Sequence, residues 1–283
     1  MIKNIKIGLV QSISSHDKKT NLDKLEHFIV KGANKGAKII SLQELANTTY
    51  IAQNQNIDNF NLAEDDKGIS LKRAAKLSHQ LGIYLLFPYF ERDIVTYYNT
   101  VAVFNPSGEL IGKYRKNHIP QNTNYQEKYY FKPGNLGYPI FDTEYGRVGI
   151  SICWDHWFPE VQRIYGLKGA DIVFSPTANG FTNSKECSID NEYKEIWQKM
   201  LIGQAITGGF YFAIINKVGI EDNIKFFGSS FIISPRGKIV GELGETEDGI
   251  LVKEIDIEAA RSWKMHQQFS RDRRISNYND LVS

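Results

Sequence analysis

The chain has 283 residues, of which 42% are hydrophobic and 23% charged, and its 34 basic and 32 acidic side chains leave a formal net charge of +2. This composition is typical of a globular protein with a large core and excludes a disordered or collagen-like chain. Nucleic-acid and anionic-membrane surfaces depend on a clustered excess of Lys and Arg. The near-neutral balance therefore argues against both partners and favours a small molecule.

Cysteine content and the N-terminal segment bear on the compartment. Two cysteines, Cys153 and Cys187, are too few for a disulfide scaffold and suit a reducing environment. The N-terminal segment has no apolar stretch of about 7–15 residues like that of a signal peptide, and no run approaches the roughly 20 apolar residues of a membrane span. We therefore expect a cytoplasmic protein. Because no linker, repeat or low-complexity segment interrupts the chain, we also expect a single domain over residues 1–283.

Strand-like and helix-like segments alternate along the first half of the chain. Thr20, with Asp23 three residues later, resembles a helix-start box ahead of apolar residues at helical spacing, and Gly36 can end that helix. Gly82 ends a second helical segment in the same way. The sequence Asn-Pro-Ser-Gly at 105–108 is a turn that joins two strands as a hairpin. The predicted strands are 5–10, 38–42, 83–90, 99–104 and 110–114, and the second helix spans 69–81.

The second half repeats this alternation. A second turn of the same kind, Ser-Pro-Arg-Gly at 234–237, again joins two short strands. Mixed sheets covered by helices are the natural packing for this order of elements, so the pattern predicts an α/β fold, and two such halves could pack sheet to sheet. The predicted strands are 148–152, 172–174, 211–215, 231–233, 238–240 and 249–255, and the predicted helices are 159–168 and 191–207.

Cys153 is the first candidate for chemistry. It follows the apolar run 148–152 and precedes Trp-Asp-His-Trp-Phe-Pro-Glu at 154–160, which predicts a strand, a sharp turn and a helix. Such a turn exposes a nucleophile above a rigid sheet, and nearby backbone N–H groups can face a developing oxyanion. A helix N-terminus also favours the thiolate over the thiol. The alternative is that Cys153 is a small buried hydrophobe, as most lone cysteines are.

The histidines are poor partners for this cysteine. A catalytic cysteine needs a group that accepts its proton, and that group is most often a His. Here each His lies too near Cys153 in sequence, on a predicted helix or in a polar stretch, so a structural or solvated role explains it better. No Cys or His pair has zinc-ligand spacing, and we expect no metal. The six histidines are His16, His27, His79, His118, His156 and His266, and Cys187 has no visible partner in its polar stretch.

Three segments, in chain order, resemble the three signatures of the nitrilase (carbon–nitrogen hydrolase) superfamily. They are Leu-Gln-Glu-Leu at 42–45, Tyr-Arg-Lys-Asn-His-Ile-Pro at 114–120 and Ile-Cys-Trp-Asp-His-Trp-Phe-Pro-Glu at 152–160. The resemblance spans nearly the whole chain, from 7–11 to 269–274. It implies a four-layer α-β-β-α sandwich that forms a homodimer or a higher homo-oligomer. Residues 269–278 resemble the tail that crosses the dimer interface in this superfamily.

The resemblance also implies a role for each matched residue. Cys153 would be the nucleophile, Glu44 the general base and acid, and Lys116 the cation that stabilises the oxyanion. The backbone N–H of Trp154 would be a second oxyanion donor, and Glu127 would help to position the lysine and the substrate. Read alone, either glutamate could be an exposed carboxylate and the lysine a solvated one. Because nucleophile, proton shuttle and electrophile are all side chains, no cofactor is expected.

Within the superfamily, three features look most like the N-carbamoylputrescine amidases. They are the Cys-Trp-Asp-x-Trp-Phe-Pro-Glu form of the cysteine motif, Tyr-Gln-Glu-Lys-Tyr-Tyr-Phe-Lys-Pro-Gly at 125–134 and Phe-Gly-Ser-Ser-Phe-Ile at 227–232. The implied reaction converts N-carbamoylputrescine to putrescine, carbon dioxide and ammonia, a step of polyamine biosynthesis. Carboxylates or aromatic faces are expected to bind the ammonium at the far end of this substrate. Candidates in the region that resembles the specificity loop are Asp190, Glu192, Glu195 and Trp197.

The chain departs from that pattern in places, which leaves the substrate open. The usual Pro-Thr-Ala-Ile-Gly-Ser-Glu-Pro run is Pro-Thr-Ala-Asn-Gly-Phe-Thr-Asn at 176–183, His-Trp-Gln is Ile-Trp-Gln at 196–198, and Leu-Pro-Glu-Leu is Leu-Gln-Glu-Leu at 42–45. An N-carbamoyl amino acid hydrolase or an ω-amidase is the nearest alternative. A pocket lined by a free Arg, which could pair with a substrate carboxylate, would favour that alternative, and a pocket closed by Asp or Glu would favour the polyamine. A catalytically silent metabolite-binding protein is the alternative from another class.

Overall fold

The computed structural model describes residues 4–182 and 190–281, and Cys187 lies outside the described residues. Strands dominate the described part of the chain and form two large sheets and one small sheet. The strands are β1 (Asn4–Gln11), β2 (Ile39–Leu42), β3 (Tyr84–Asp93), β4 (Thr96–Phe104), β5 (Leu110–Arg115), β6 (Phe141–Thr143), β7 (Gly146–Ile150), β8 (Ile172–Thr177), β9 (Gly180–Thr182), β10 (Tyr211–Asn216), β11 (Val218–Glu221), β12 (Ile224–Phe227), β13 (Phe231–Ile233), β14 (Ile239–Glu242) and β15 (Gly249–Asp256).

Six α-helices accompany these strands in the described residues. They are α1 (Lys18–Asn34), α2 (Ile69–Leu81), α3 (Glu127–Tyr130), α4 (Pro159–Leu167), α5 (Asp190–Gly208) and α6 (Ile257–Gln267). Short 3₁₀ turns occur at Ile51–Gln53, Ile57–Leu62, Cys153–Trp157, Ile275–Asn277 and Asn279–Leu281. No helix among the described residues is both long and apolar enough to cross a membrane.

Each large sheet has six strands and mixes parallel with antiparallel pairs. The first has the order β15-β1-β2-β3-β4-β5, and the second has the order β14-β13-β10-β8-β7-β6. Parallel pairs occupy the centre of each sheet, β1–β2–β3 in the first and β7–β8–β10 in the second. The parallel connections carry the helices to the sheet faces, as expected for such crossovers. The small sheet has the order β11-β12-β9.

The two large sheets pack face to face, with helices on both outer faces. Along β1, Ile5, Ile7 and Leu9 point into the apolar layer between the sheets, whereas Val10 belongs to the layer beneath α1 and α2. This follows from the two-residue alternation of side chains along a strand. On the other side, α4 and α5 cover the second sheet through a separate apolar cluster that includes Trp197. The order of layers is therefore α-β-β-α, which confirms the predicted fold class.

Several predicted boundaries are wrong by a few residues: β3 ends at Asp93 rather than at 90, β4 begins at Thr96 rather than at 99, and β8 ends at Thr177 rather than at 174. Two further differences have a clear physical reason. Helix α1 begins at Lys18, and its cap is Asp17, whose carboxylate accepts hydrogen bonds from the backbone N–H groups of residues 19 and 20. Asp23 is not part of a start box, because it instead pairs with Lys19 and Arg73. Strand β7 ends at Ile150 rather than at 152, because the chain then turns towards Cys153.

Candidate active site

The sandwich brings the predicted site residues together at one end of the two sheets. Lys116 directly follows β5, and Glu44 lies two residues beyond the end of β2, so both come from the first sheet. Cys153 comes from the second sheet, three residues beyond β7, and belongs to the apolar layer between the sheets. Glu127 is the first residue of the short helix α3. Four segments that are distant in sequence therefore meet between the sheets.

Cys153 occupies a strained turn. Its φ is 45°, in the left-handed region that costs a non-glycine residue on the order of 1–3 kcal/mol, and it begins the 3₁₀ turn Cys153–Trp157. The buried carboxylate of Asp155 ties this turn to the segment around Lys116. It accepts hydrogen bonds from the backbone N–H of Ile152 at 3.0 Å and of His118 at 2.9 Å, and from Tyr114 Oη at 2.6 Å. These donors flank the cysteine and the lysine in sequence.

Lys116 lies between two glutamates in a site with no solvent exposure. Its Nζ donates to Glu44 Oε1 at 2.8 Å and to Glu127 Oε1 and Oε2 at 2.8 and 2.7 Å. All three side chains are fully buried. An ammonium has three donors, so these contacts use its whole capacity. A substrate oxygen that replaces one of them would receive both a hydrogen bond and the full positive charge.

The charges of this cluster shift the ionisation of its members. Burial alone would lower the pKa of Lys116, but the nearby charges of Glu127 and Glu44 outweigh burial and raise it, so the ammonium is firmly retained. Burial raises the pKa of Glu127 to about 7, with Lys116 opposing and Glu44 adding to the rise. Tyr50 Oη donates to Glu127 Oε1 at 2.6 Å and favours the ionised form of Glu127. Glu127 therefore titrates near neutral pH.

The two oxygens of Glu44 have different surroundings. Oε1 accepts from both Lys116 Nζ and Asn99 Nδ2, the latter at 2.7 Å. Oε2 is equally buried but has no hydrogen-bond partner among the described residues. A buried carboxylate oxygen without a donor is unfavourable unless another molecule or group supplies one. Glu44 therefore presents one anchored oxygen and one oxygen that is able to accept a proton.

Cys153 is held as a thiol. Burial raises its pKa first, the negative charges of Glu44 and Glu127 raise it further, and Lys116 opposes them without reversing the result. The expectation that a helix N-terminus favours the thiolate is therefore wrong for this turn, because burial and two carboxylates outweigh the favourable field. The thiol proton has to be taken up by a base as the sulfur reacts, and the charge of Glu44 acts directly on this thiol.

His156 follows Cys153 by three residues but is not suited to be that base. Its Nε2 accepts a hydrogen bond from Trp197 Nε1 at 2.8 Å, so the proton of the neutral ring lies on Nδ1, which is 2.9 Å from Ser175 Oγ. Burial, with a smaller contribution from Lys116, lowers the pKa of His156 to about 3. The neutral ring of His156 thus links the turn at Cys153 to β8 and α5 through hydrogen bonds.

A cavity of ≈ 330 Å³ opens onto Cys153. Aromatic side chains from four separate segments form much of its wall, namely Tyr125, Trp154, Phe181 and Tyr193. Asn179 also lines it, with its Oδ1 3.9 Å from Cys153 Sγ. Among the described residues that line the cavity, none is acidic or basic. The volume suits a small ligand, and the aromatic walls suit an alkyl chain or a cation.

Three of the four candidates for ammonium recognition on α5 do not line this cavity. Trp197 is fully buried in the apolar cluster beneath the second sheet and donates to His156, so it does not line the cavity. Glu192 is exposed, and Glu195 is exposed and paired with Lys199. Helical periodicity explains this result, because the inward positions of α5 are Tyr193 and Trp197, four residues apart. The side chain of Asp190 lies outside the described residues.

Several side chains that complete the site were given no role by the sequence analysis, although Asp155 and Asn179 lie in segments that it singled out. Tyr50 and Asn99 hold the two glutamates, Asp155 ties the segments around Cys153 and Lys116 together, and Asn179 contacts the sulfur. The only sequence indication of a role for Asn99 was its position as an amide within the mostly aromatic and aliphatic strand β4. In the described parts of the chain, no group of three or more His, Cys, Asp or Glu side chains is arranged to hold a metal ion.

Comparison with known proteins identifies the family. The carbon-nitrogen hydrolase family model matches residues 6–265. The chain belongs to the carbon–nitrogen hydrolase family. It is 37% identical to a citrullinase of Francisella tularensis, over 99% of this chain and 98% of that protein. It is 33% identical to an N-carbamoylputrescine amidase of Arabidopsis thaliana, over 99% of this chain and 96% of that protein.

A solved structure agrees with this assignment. A carbon–nitrogen hydrolase from Helicobacter pylori G27 matches the fold with a TM-score of 0.94 at 32% identity, and the match covers 99% of each chain. The resemblance to the nitrilase superfamily is therefore confirmed, and this enzyme is a hydrolase of carbon–nitrogen bonds. The two relatives named above carry the names of different substrates, so the comparisons leave the substrate amine open.

Proposed function

We propose that the enzyme hydrolyses the terminal carbamoyl group of an N-carbamoyl amine, with Cys153 as nucleophile and Glu44 as general base and acid. The observation that carries this proposal is the unpartnered, buried Oε2 of Glu44 in the cluster that acts on the Cys153 thiol. Lys116 and the backbone N–H of Trp154 would stabilise the oxyanion, and Glu127 would hold the lysine. A preorganised donor of this kind contributes a factor of about 10²–10³ to catalysis.

The proposed reaction has two halves. In the first, Cys153 Sγ bonds to the carbamoyl carbon, its proton passes to Glu44, and ammonia leaves with that proton as the carbon–nitrogen bond breaks. In the second, water gives a proton to Glu44 and attacks the thioester-like intermediate, and the sulfur leaves and recovers the proton. The released carbamic acid decomposes to an amine and carbon dioxide. The nucleophile and the proton shuttle in this scheme are both side chains.

The cavity favours a substrate with a cationic tail. Tyr125, Trp154, Phe181 and Tyr193 offer aromatic faces, which attract an alkylammonium group. The described wall has no cation that would pair with a substrate carboxylate, which opposes an N-carbamoyl amino acid hydrolase or an ω-amidase. N-carbamoylputrescine fits these features, since it joins a carbamoyl group to an ammonium through a short alkyl chain. It is the first candidate substrate.

Citrulline is the second candidate, because this chain is 37% identical to a protein named as a citrullinase. N-carbamoylputrescine is citrulline without the α-carboxylate, so both substrates present the same carbamoyl group to Cys153. The two differ only in whether the far end of the cavity accepts a negative charge next to the ammonium. A carboxylate without a cationic partner is costly to bury. The described wall therefore favours the substrate that lacks it.

An ammonia-release assay tests the proposal. We expect kcat/KM to be highest for N-carbamoylputrescine, lower for citrulline, and lowest for N-carbamoyl-β-alanine and short dicarboxylic amides. Cys153→Ala should fold as the wild type does and release no ammonia above background. Turnover by that variant would refute the mechanism, and a preference for citrulline would reverse the order of the two candidates.

We also propose that the enzyme works as a homodimer or a higher homo-oligomer. The C-terminal stretch exposes large apolar side chains, with Phe269, Ile275 and Leu281 exposed by 40%, 68% and 67%. Single apolar side chains on a surface are common, but several in one short stretch favour a covered face. Light scattering of the purified protein measures the number of subunits, and a monomeric mass would refute this proposal.

A further inference from the structure

Asn179 lies beside the sulfur in a position fixed by its backbone. It follows β8 by two residues and is 6% exposed. Its backbone N–H donates to Asn216 Oδ1 at 2.8 Å, and its carbonyl accepts from Asn216 Nδ2 at 3.0 Å. The amide of Asn216 thus pairs with both backbone groups of Asn179, as a residue of a neighbouring β-strand would. These bonds fix the backbone of Asn179 and place its side chain beside Cys153 Sγ.

Only one of the two polar atoms of the Asn179 side chain has a hydrogen-bond partner among the described residues. Its Oδ1 is 3.9 Å from Cys153 Sγ, close enough for a weak bond from the thiol. Its Nδ2 is buried and has no hydrogen-bond partner among the described residues. A buried amide donor without an acceptor is unfavourable, and native proteins rarely keep one without a reason. A ligand that brings an acceptor oxygen to the sulfur would supply the missing partner.

Packing beside Cys153 does not need a polar group, because an aliphatic side chain of similar size would fill the same space without leaving a donor unpaired. The unpaired Nδ2 is therefore able to donate a hydrogen bond to a ligand.

We infer that Asn179 donates from Nδ2 to the carbamoyl oxygen of the substrate, as a third donor beside Lys116 and the backbone N–H of Trp154. This inference rests on the proposed function. When Sγ bonds to the carbamoyl carbon, the oxygen lies two bonds from the sulfur, within reach of an amide that already contacts that sulfur. The oxygen gains negative charge in that step, so the donor acts most strongly in the transition state.

Two near-isosteric variants test the donor. Asn179→Leu removes both polar atoms, and Asn179→Asp keeps the shape but replaces the donor with an oxygen. We expect Asn179→Leu to lower kcat/KM for the carbamoyl substrate about 10-fold or more, mainly through kcat, and Asn179→Asp to lower it further. Asn34→Leu, the same change at an exposed position near the end of α1, is the matched control and should leave kcat/KM unchanged. A change below about 2-fold in both Asn179 variants would overturn the inference.

A second measurement needs no turnover. It distinguishes a hydrogen bond from Asn179 to the substrate oxygen from an effect of Asn179 on the sulfur. Butanal adds to a thiol, with Sγ bonding to the carbonyl carbon and the thiol proton passing to the oxygen, and this addition protects Cys153 from methyl methanethiolsulfonate. Mass spectrometry follows the modification of Cys153, with Cys187 in the same sample as the reference for the reagent. We expect Asn179→Leu to weaken protection by butanal about 10-fold. The rate of modification without butanal should change by less than about 2-fold, because the bond from the thiol to Oδ1 is weak.

The outcomes of the butanal experiment are distinct. Unchanged protection together with slower modification would mean that the amide serves the sulfur, and it would overturn the inference. Absence of protection in the wild type would instead contradict addition by Cys153 and so the proposed function. If Asn179→Leu does not fold, as judged by circular dichroism, Asn179→Asp provides both measurements.

Discussion

Two fully buried clusters in this enzyme are built around a lysine that directly follows a strand, and they differ in how completely they are satisfied. The site cluster consists of Lys116, which follows β5, with Glu44 and Glu127. The anchor pair consists of Lys217, which follows β10, with Glu221. The site cluster has two carboxyl groups for one amine, whereas the anchor pair has one of each.

The anchor pair has no unused polar atom. Lys217 Nζ donates to Ser14 Oγ at 2.7 Å, to the carbonyl of Thr48 at 3.0 Å and to Glu221 Oε1 at 3.1 Å. The other oxygen of Glu221 accepts from the backbone N–H of Tyr50 at 2.5 Å. Every donor of the ammonium and both oxygens of the carboxylate are thus used. A buried ion pair in this state fixes neighbouring segments and has nothing left with which to react.

The site cluster keeps one oxygen in reserve. Burial raises the pKa of Glu127 to about 7, and the negative charge of Glu44 adds to that rise. Glu44 Oε2 has no hydrogen-bond partner among the described residues. A proton shuttle needs a carboxylate oxygen without a fixed partner, but such a buried oxygen also destabilises the folded state. Incomplete satisfaction, rather than burial or pairing as such, therefore distinguishes the site cluster from the anchor pair.

Among the variants that compare the two clusters, Glu44→Gln should cause the largest loss of activity, because it replaces the unpartnered carboxylate oxygen. The remaining amide oxygen can still accept from Lys116 and Asn99, while the amide nitrogen takes the place of the unpartnered oxygen. We expect ammonia release to fall by about 10²–10⁴-fold, the contribution of a positioned acid–base group. The free energy of unfolding, measured with urea, should be unchanged or higher, because one carboxyl group then faces one ammonium.

Glu221→Gln is the matched control in the anchor pair. Lys217 and the backbone N–H of Tyr50 both need an acceptor, and glutamine has only one oxygen to offer, so a buried donor is left unsatisfied. This variant should lose about 1–3 kcal/mol of stability and keep its turnover. Equal losses of stability in the two Gln variants would contradict the distinction between the clusters.

The second effect concerns stability rather than chemistry. Lys217→Met leaves Glu221 as a buried carboxylate without its cation, and breaking a buried pair in this way costs about 3–5 kcal/mol. Urea unfolding should show that loss, while turnover per folded molecule stays within a few-fold of the wild type. The double variant Lys217→Met/Glu221→Leu should recover part of this loss, because no charge is left unpaired, although the backbone N–H of Tyr50 then lacks its acceptor. A double variant as unstable as the single one would show that the pair acts by more than charge.

The elements that the sequence predicted best are those whose signals are local. Helix α2 matches its predicted bounds, 69–81, because apolar spacing and Gly82, with φ of 61°, mark it clearly. The hairpin of β4 and β5 follows in the same way from its turn at 105–108. The three glutamate, lysine and cysteine positions were reached through ordered motifs, and they meet in the structure.

The small sheet of β9, β11 and β12 was not predicted. Strand β9 has three residues and pairs with β12, which lies more than forty residues further along the chain, so no local pattern announces it. The hairpin of β11 and β12 had a weak signal in Asp222, whose φ is 48° at the turn between two alternating segments. The cavity wall depends on this sheet, because Phe181 belongs to β9. The aromatic character of the cavity wall therefore could not be predicted from local sequence patterns.

Side chains that serve the site from neighbouring segments were also missed. Tyr50 and Asn99 belong to segments with no chemical motif, and their importance depends on which strands the fold makes adjacent. The direction of the thiol pKa was wrong for a similar reason. Sequence position suggested a favourable helix end for Cys153. In the structure burial raises the pKa of its thiol, and the charges of Glu44 and Glu127, which are distant in sequence, raise it further. Through-space electrostatics cannot be inferred from spacing along the chain.

Tyr50 joins the two clusters, and Tyr50→Phe should give the smallest and most specific effect. Its backbone N–H donates to Glu221 and remains in the variant, whereas its hydroxyl donates to Glu127 Oε1 at 2.6 Å and is lost. The hydroxyl favours the ionised carboxylate, so its loss raises the pKa of Glu127 above about 7. Below that pKa Glu127 is protonated and holds Lys116 less firmly, and kcat/KM should fall as the pH falls.

The pH profile of kcat/KM measures this shift. In the wild type the acidic limb should lie near pH 7, and in Tyr50→Phe it should move upward by on the order of one pH unit, the value of one hydrogen bond to a charged group. At pH 7 the variant should then be about 3–10-fold slower, and at higher pH it should approach the wild type. Stability should change little, because the anchor pair keeps its bond from the backbone of Tyr50. A uniform loss at every pH would mean that the hydroxyl positions Glu127 without setting its charge, and the two clusters would then be coupled through packing alone.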